Sequence, residues 1–278
     1  MLIIGAHESI SGGIYKSIER GLQDDCECIQ IFVKNSNRWL GKPISEMDIE
    51  KYNEILSNVN MPVCCHSSYL INMASSKPDI REKSCKSMVD ELERCEKLGI
   101  KYYIIHPGAH LGIGEKKGLD LIVEMIDTIY FENNFNTHIL LEITAGQGTN
   151  LGYKVEHLLY ILEKSKYENK LGICLDSCHM YSAGFDILNR YDEVFDNLFQ
   201  TFPNKIKVFH LNDSKKPLGS RVDRHDLIGK GVLGIDFFKK VVNDERFKDI
   251  LGILETPIES DETYKEEVAL LKSLRTRK

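Results

Sequence analysis

The chain has 278 residues, with 36 basic and 42 acidic side chains, a formal net charge of −6, 42% hydrophobic and 28% charged residues. That composition supplies enough apolar residues for a large core and excludes the disordered, collagen-like and coiled-coil classes. No apolar run approaches the roughly 18 residues of a membrane span. Met1-Leu2-Ile3-Ile4-Gly5 enters an apolar strand with no basic leader, so a cytoplasmic or nuclear location is expected. The eight cysteines include the adjacent pair Cys64-Cys65, and none form a CxxC. They read as buried free thiols, not as disulfides or a thiolate zinc knuckle. A negative net charge argues at first sight against nucleic acid, but local potential and bound cations decide that question.

Along the chain, short β-branched or aromatic runs fall at residues 2–6, 28–33, 62–65, 102–105, 138–141, 171–175, 206–209 and 251–254. They are nearly continuous in apolar character, the pattern of parallel strands covered on both faces. Stretches of helical periodicity lie at 44–57, 79–98, 119–130, 155–164, 191–202, 235–242 and 261–273. The clearest is 79–98, which carries Ile80, Met88, Leu92 and Cys95 on one face and is followed by Gly99 as a stop signal. This alternation predicts an α/β fold, a single (β/α)8 TIM barrel over residues 1–278. A doubly wound sheet would show a GxGxxG turn after its first strand, and Gly5-Ala6-His7-Glu8-Ser9-Ile10-Ser11-Gly12-Gly13 lacks that spacing.

The polar residues that end the runs carry the functional argument. His66 ends the third run, His106 the fourth, Glu142 the fifth, Asp176 the sixth, His210 the seventh and Glu255 the eighth. Barrel active sites are built at these C-terminal strand ends. One strand-terminal acid is often a helix cap, and one histidine is often structural. Six in register would set carboxylates against one another unless something positive lay between them. A metal cluster is the simplest such object. His179, Asp223 and His225 also lie just beyond strand ends, which makes nine imidazole and carboxylate donors. Such a set suits zinc, and also manganese or iron. At about three protein ligands per open catalytic zinc, nine donors serve three ions. His179, one helical turn past the sixth strand, groups with Asp223 and His225 as a peripheral subset. Two or more metals at a barrel mouth point to hydrolysis of a phosphate ester.

Several segments together resemble endonuclease IV, in collinear order from residue 1 to about 260. They are Gly5-Ala6-His7, His66-Ser67-Ser68-Tyr69, His106-Pro107-Gly108, Leu141-Glu142-Ile143-Thr144, Asp176-Ser177-Cys178-His179, His210-Leu211-Asn212-Asp213, Asp223-Arg224-His225 and Glu255-Thr256-Pro257. That family comprises apurinic/apyrimidinic endonucleases of DNA base-excision repair, so the resemblance implies a trinuclear zinc site at a barrel mouth. It assigns His66, His106 and Glu142 to one zinc, with Glu142 bridging to a second held by Asp176, His210 and Glu255. His179, Asp223 and His225 hold the third, with manganese able to replace zinc in part. The implied reaction is hydrolysis of the phosphodiester 5′ to an abasic site in double-stranded DNA, leaving a 3′-hydroxyl and a 5′-deoxyribose phosphate. Its nucleophile is a hydroxide aligned by the catalytic pair Glu142 and Glu255. Removal of 3′-blocking groups and action as a monomer are also expected.

Enzymes acting at a baseless sugar bend the duplex and fill the gap with side chains. The loop Asn35-Ser36-Asn37-Arg38-Trp39 contains the only tryptophan and is the expected wedge. Family members usually place an arginine two residues before that tryptophan; here Asn37 stands there and Arg38 one residue before. Tyr69 matches the family's stacking tyrosine, and His7 is expected to line the pocket behind the ligands. Lys215, Arg221 and Arg224 make the seventh loop a candidate phosphate grip. Gly229-Lys230-Gly231 resembles a phosphate-cradling turn and reads mainly as a bend. Three other readings compete: a sugar isomerase on the same kind of barrel, a UV-damage endonuclease sharing the metals, and a non-catalytic binder of damaged DNA. The Asp223/His225 pair and the Arg-Trp loop disfavour the first.

Overall fold

A computed structural model describes residues 1–276. Its frame is a closed barrel of eight parallel strands: β1 (Ile3–Glu8), β2 (Cys28–Ile31), β3 (Val63–His66), β4 (Tyr102–Ile105), β5 (His138–Glu142), β6 (Leu171–Asp176), β7 (Ile206–His210) and, last in the chain, β10 (Leu251–Leu254). The short strands β8 (Asp213–Ser214) and β9 (His225–Asp226) pair antiparallel as a ribbon in the loop after β7. The barrel closes by pairing β1 with β10, Ile3 opposite Leu251. Outside it run α1 (Lys16–Gln23), α2 (Glu46–Asn58), α3 (Pro78–Lys97), α4 (Glu115–Asn133), α5 (Val155–Lys164), α6 (Ser177–Ala183), α7 (Tyr191–Thr201), α8 (Gly234–Asn243) and α9 (Thr263–Ser273). No helix among the described residues is long and apolar enough to cross a membrane.

Every predicted strand and helix is present, with ends shifted by up to four residues. Two helices were not foreseen. Eight-residue α1 is too short to show a clear period. In α6, Asp176 serves both as the last residue of β6 and as the N-cap, its Oδ1 accepting from the His179 amide at 2.6 Å. Strand and helix therefore abut with no loop to mark the boundary.

Parallel strands buried on both faces split their side chains between two cores. Cys28, Cys64, Ile104, Leu140, Cys174, Val208, Leu251 and Ile253 form a layer inside the barrel, while Cys65, Tyr103, Ile139, Leu141 and Phe209 join the larger core between strands and helices. Successive residues alternate between the faces, which is why Cys64 points in and its neighbour Cys65 points out. The cysteines are all free, and Cys28, Cys64 and Cys174 serve as small hydrophobes in the narrow interior. Gly5 is required on β1: a Cβ there would lie 1.6 Å from the Cys28 carbonyl oxygen.

A buried ion pair anchors the loops at the C-terminal rim. Lys34 Nζ lies 2.6 Å from Glu91 Oε1, with side chains 2% and 1% exposed. Glu91 also accepts from the Tyr103 hydroxyl at 2.5 Å and from the Ser68 amide, while Lys34 donates to the Arg38 carbonyl. The network thus joins the loop after β2, the loop after β3, α3 and β4. Replacing one member leaves the other charged and unpaired in the interior, which costs about 3–5 kcal/mol. Lys34→Met should lower the calorimetric midpoint by on the order of 10 °C, and adding Glu91→Leu should recover much of the loss. An unchanged midpoint in Lys34→Met would remove the ion pair from the stability of this rim.

Candidate metal centre

Inside the barrel, the residue two places beyond each apolar-layer side chain faces the same interior, one layer nearer the mouth. From Cys28, Cys64, Ile104, Leu140, Cys174, Val208 and Ile253 that step leads to Gln30, His66, His106, Glu142, Asp176, His210 and Glu255. On β1 the same step leads from Gly5 to His7. The mouth is therefore floored by one polar side chain from every strand.

Glu142 is the hub, with no solvent exposure. Its Oε2 lies 3.2 Å from His66 Nε2 and 3.1 Å from His106 Nε2, and its Oε1 lies 3.1 Å from His210 Nδ1 and 3.0 Å from His179 Nδ1. The two oxygens thus face different histidines, as a bridging carboxylate requires. Glu255 Oε2 approaches His210 Nδ1 at 3.1 Å, and the donor atoms of Glu142, Asp176, His210 and Glu255 all lie within 4.8 Å of one another. Beyond them Asp223 sits between two rings, 3.2 Å from His179 Nε2 and 3.2 Å from His225 Nε2. Asp176 also falls within ligand distance of His179 and His225, so it lies between the second and third subsets. All nine sequence-predicted donors converge.

The electrostatics are those of a site built around cations. Burial alone would raise Glu142, but His106 and His210 outweigh it and hold the carboxyl well below the ordinary range. Glu255 behaves likewise: burial opposes ionisation, and His210, His7 and His66 reverse the balance. For Asp223 the close His179 and His225 rings overcome burial in the same direction. Reciprocally, burial would lower His66 and His225, yet Glu142 lifts the first and Asp223 the second to about 9. Cys174 and Cys178 also lie beside the donors, but burial and neighbouring carboxylates push their thiols up, so they stay protonated.

Ring orientation fits a metal. His66 Nδ1 donates to the Ser67 carbonyl at 2.8 Å, His179 Nδ1 to that of Ile143 at 3.0 Å, and His225 Nδ1 to that of Glu255 at 3.1 Å. Each bond anchors the ring and turns its Nε2 toward the carboxylates, where a cation would take the place of the ring proton. His225 Nε2 is buried and, although 3.2 Å from Asp223 Oδ1, makes no hydrogen bond of good geometry, so it is a ligand atom that a cation would satisfy. Asn212, unforeseen from sequence, steers the acids: it donates to Asp176 Oδ2 at 2.7 Å and accepts from the Glu255 amide at 3.0 Å. Gln30 also escaped the sequence reading. Its signal is its place two residues beyond inward-facing Cys28.

Above the donors opens a cavity of about 530 Å³, bordered by Tyr69, Phe32, Lys215, Arg224 and Tyr264. Tyr69 is 70% exposed and stands edge-on to Phe32, which leans on the His7 ring at 4.4 Å. An adjoining groove of about 880 Å³ runs between the loops after β1, β2 and β10 and includes Asn35 and Asn37. Glu8, in the same groove, is raised to about 8 by burial and by Asp24, so it is largely neutral at pH 7. Arg38 is exposed at the loop tip, whereas Trp39 is half-buried and lines neither hollow. Arg221 braces two loops, with its guanidinium 4.1 Å from the Tyr153 ring centroid and its Nε donating to the Gly146 carbonyl. The Gly229-Lys230-Gly231 turn has no room for a phosphate. The Asp213 carboxylate accepts from the amides of Gly229, Leu233 and Gly234, and a Cβ on Gly231 would lie 2.4 Å from its Oδ1. His110 and His157 accept from loop amides.

The sequence model of the family described as xylose isomerase-like TIM barrel matches residues 21–274. A "Probable endonuclease 4" of Chloroflexus aurantiacus is 46% identical over 276 residues, covering 97% of each chain. The crystal structure of endonuclease IV from Thermus thermophilus superposes with a TM-score of 0.88 at 30% identity, covering 98% of both chains. A D-tagatose 3-epimerase-like protein has a TM-score of 0.72 at 19% identity and 98% coverage of each chain, a likeness of fold alone. Identity over nearly the whole length, together with the convergent donor set, shows that the chain belongs to the endonuclease IV family.

Proposed function

We propose that the chain is a zinc-dependent AP endonuclease of base-excision repair, acting as a monomer on double-stranded DNA in the cytoplasm. It would hydrolyse the phosphodiester 5′ to an abasic site, leaving a 3′-hydroxyl and a 5′-deoxyribose phosphate, and would clear 3′-blocking groups at the same site. The observation that carries this reading is the nine-donor cluster around Glu142, opening into a cleft with an exposed aromatic ledge and cationic side chains. Zinc held by His66–His106–Glu142, by Glu142–Asp176–His210–Glu255 and by His179–Asp223–His225 would supply Lewis acidity toward phosphate oxygens and lower the pKa of water to about 7.

The chain's own residues divide the remaining work. Glu142 has no exposed surface, so its part would be to hold the cations, while Glu255, with its side chain 18% exposed, reaches the cavity and would orient the attacking water. Lys215 and Arg224 border the cavity where phosphate oxygens would approach and fix the strand by charge. Tyr69 and Phe32 offer an apolar face to a sugar that has lost its base. Asn35 and Asn37 line the groove along which the flanking backbone would run, and Arg38 projects from the same loop. A neutral Glu8 in that groove removes one source of repulsion.

Incision of an abasic-site duplex should disappear on chelation and return with zinc. Glu255→Gln should lower kcat by about 10²–10⁴-fold, the range for a positioned proton-transfer group, while the Kd for abasic duplex moves little. Wild-type turnover in that variant would contradict the role given to Glu255. Arg38→Ala should weaken duplex binding about tenfold and flatten its salt dependence by roughly one phosphate contact, leaving kcat unchanged. Equal affinity at every salt concentration would take Arg38 off the DNA surface. Asp223→Ala should reduce retained zinc by one ion per chain in elemental analysis, and full retention would remove Asp223 from the ligands.

A further inference from the structure

His210 differs from the other anchored histidines of the centre. In His66, His179 and His225 the outer ring nitrogen is held by a backbone carbonyl. In His210 it is the Nδ1 that faces Glu142 and Glu255, and the Nε2 points across the barrel interior to a side chain, Gln30 Oε1, at 2.8 Å. Gln30 reaches there from β2, which lies on the far side of β1 and β10 from β7 in the strand order.

The Gln30 amide has one chemically consistent orientation. Its Nε2 lies 2.5 Å from Glu255 Oε1 and 2.9 Å from His7 Nδ1. An ionised carboxylate only accepts hydrogen bonds, so the NH2 group must face Glu255 and the carbonyl must face His210. That carbonyl can only accept, so the His210 ring carries a proton on Nε2, and Nδ1, which faces Glu142, Asp176 and Glu255, is the nitrogen left to bind a cation. Both amide hydrogens are committed, one to Glu255 and one to His7, and the side chain has no exposed surface. Three elements of the centre are thus keyed by one buried amide.

We propose that Gln30 is a positioning residue of the metal centre. It selects the His210 tautomer and holds Glu255 in the orientation that lets both serve one ion together with Glu142 and Asp176. This rests on the metal-centre reading above. The amide touches no substrate and acts only through His210, Glu255 and His7, so its loss should appear in metal affinity and ring tautomer ahead of any effect on DNA binding.

The test compares the wild-type chain with Gln30→Met, which keeps the side chain's length without its hydrogen bonds, and with Gln30→Glu, which keeps an oxygen opposite His210. Each is stripped with chelator and reloaded with zinc. Zinc affinity is read by competition with a chromophoric chelator, and the histidine tautomers by ¹⁵N NMR, with the His210 signal assigned by its loss in His210→Asn. We expect wild type to show His210 protonated at Nε2. In Gln30→Met one class of zinc should bind about 10–100-fold more weakly, the usual effect of losing a partner behind a ligand, with the His210 tautomer no longer unique. Gln30→Glu should restore the tautomer. Zinc held as tightly by Gln30→Met as by wild type, or a reloaded wild type with the His210 proton on Nδ1, overturns the proposal and leaves the metal centre standing. A wild-type chain that takes up no zinc overturns both, and the wild-type measurement needs no variant to fold.

Discussion

A carboxylate with no solvent exposure stands at the centre of this barrel's mouth, and the surroundings of Glu142 are arranged as compensation for its charge. An ion of that kind is far too costly to bury alone. Four imidazoles converge on its two oxygens, from β3, from the ends of β4 and β7, and from α6. Imidazole nitrogens and carboxylates that crowd each other so closely can exchange protons for divalent cations with little rearrangement, because each ring already turns a nitrogen inward. The centre is preorganised by its histidines' outer bonds as much as by its ligands.

What delivers those groups to one place is the two-residue alternation of a closed parallel sheet. In each strand an apolar side chain plugs the interior and the next inward-facing side chain rises into the mouth. Cys28, Cys64 and Cys174 keep the plug narrow, so the polar layer above it closes to hydrogen-bonding distances. Outside the barrel, Lys34 and Glu91 do a related job for the loops. Their ion pair clamps the segment leading to Asn35–Trp39 against Ser68 and Tyr103, so exposed tips stand on a rigid, buried base. Stability and site geometry are therefore set by the same contacts.

That architecture was largely legible in the sequence, because near-continuous apolar runs ending in His, Asp or Glu reveal both the strands and the direction in which they point. The losses have physical causes. Gln30 lay inside what read as one apolar run, 28–33, whereas the strand stops at Ile31 and Gln30 is its last inward residue. The ribbon of β8 and β9 has two residues per strand, below the length at which any period can show. In loops the direction of a side chain depends on partners remote in sequence, as the stacking of Arg221 on Tyr153 illustrates. The bend read at 229–231 is present, and only the fold reveals that the Asp213 carboxylate accepts the amides of Gly229, Leu233 and Gly234 there.

The acidic balance of the chain, −6, is reconciled with a DNA partner by where its charges lie. Many of the acids are spent internally or on the helical surface: Asp192, Asp196 and Asp244 surround Arg246, Glu91 pairs with Lys34, and Asp213 caps a turn. Within the cleft the carboxylates are Glu142, Asp176, Asp223 and Glu255, and on the proposed reading they carry less charge than three divalent ions. The sign of the potential that meets a phosphate is then set by bound cations together with Lys215 and Arg224. On that reading composition alone points the wrong way, because it counts the carboxylates and omits the cations they would hold.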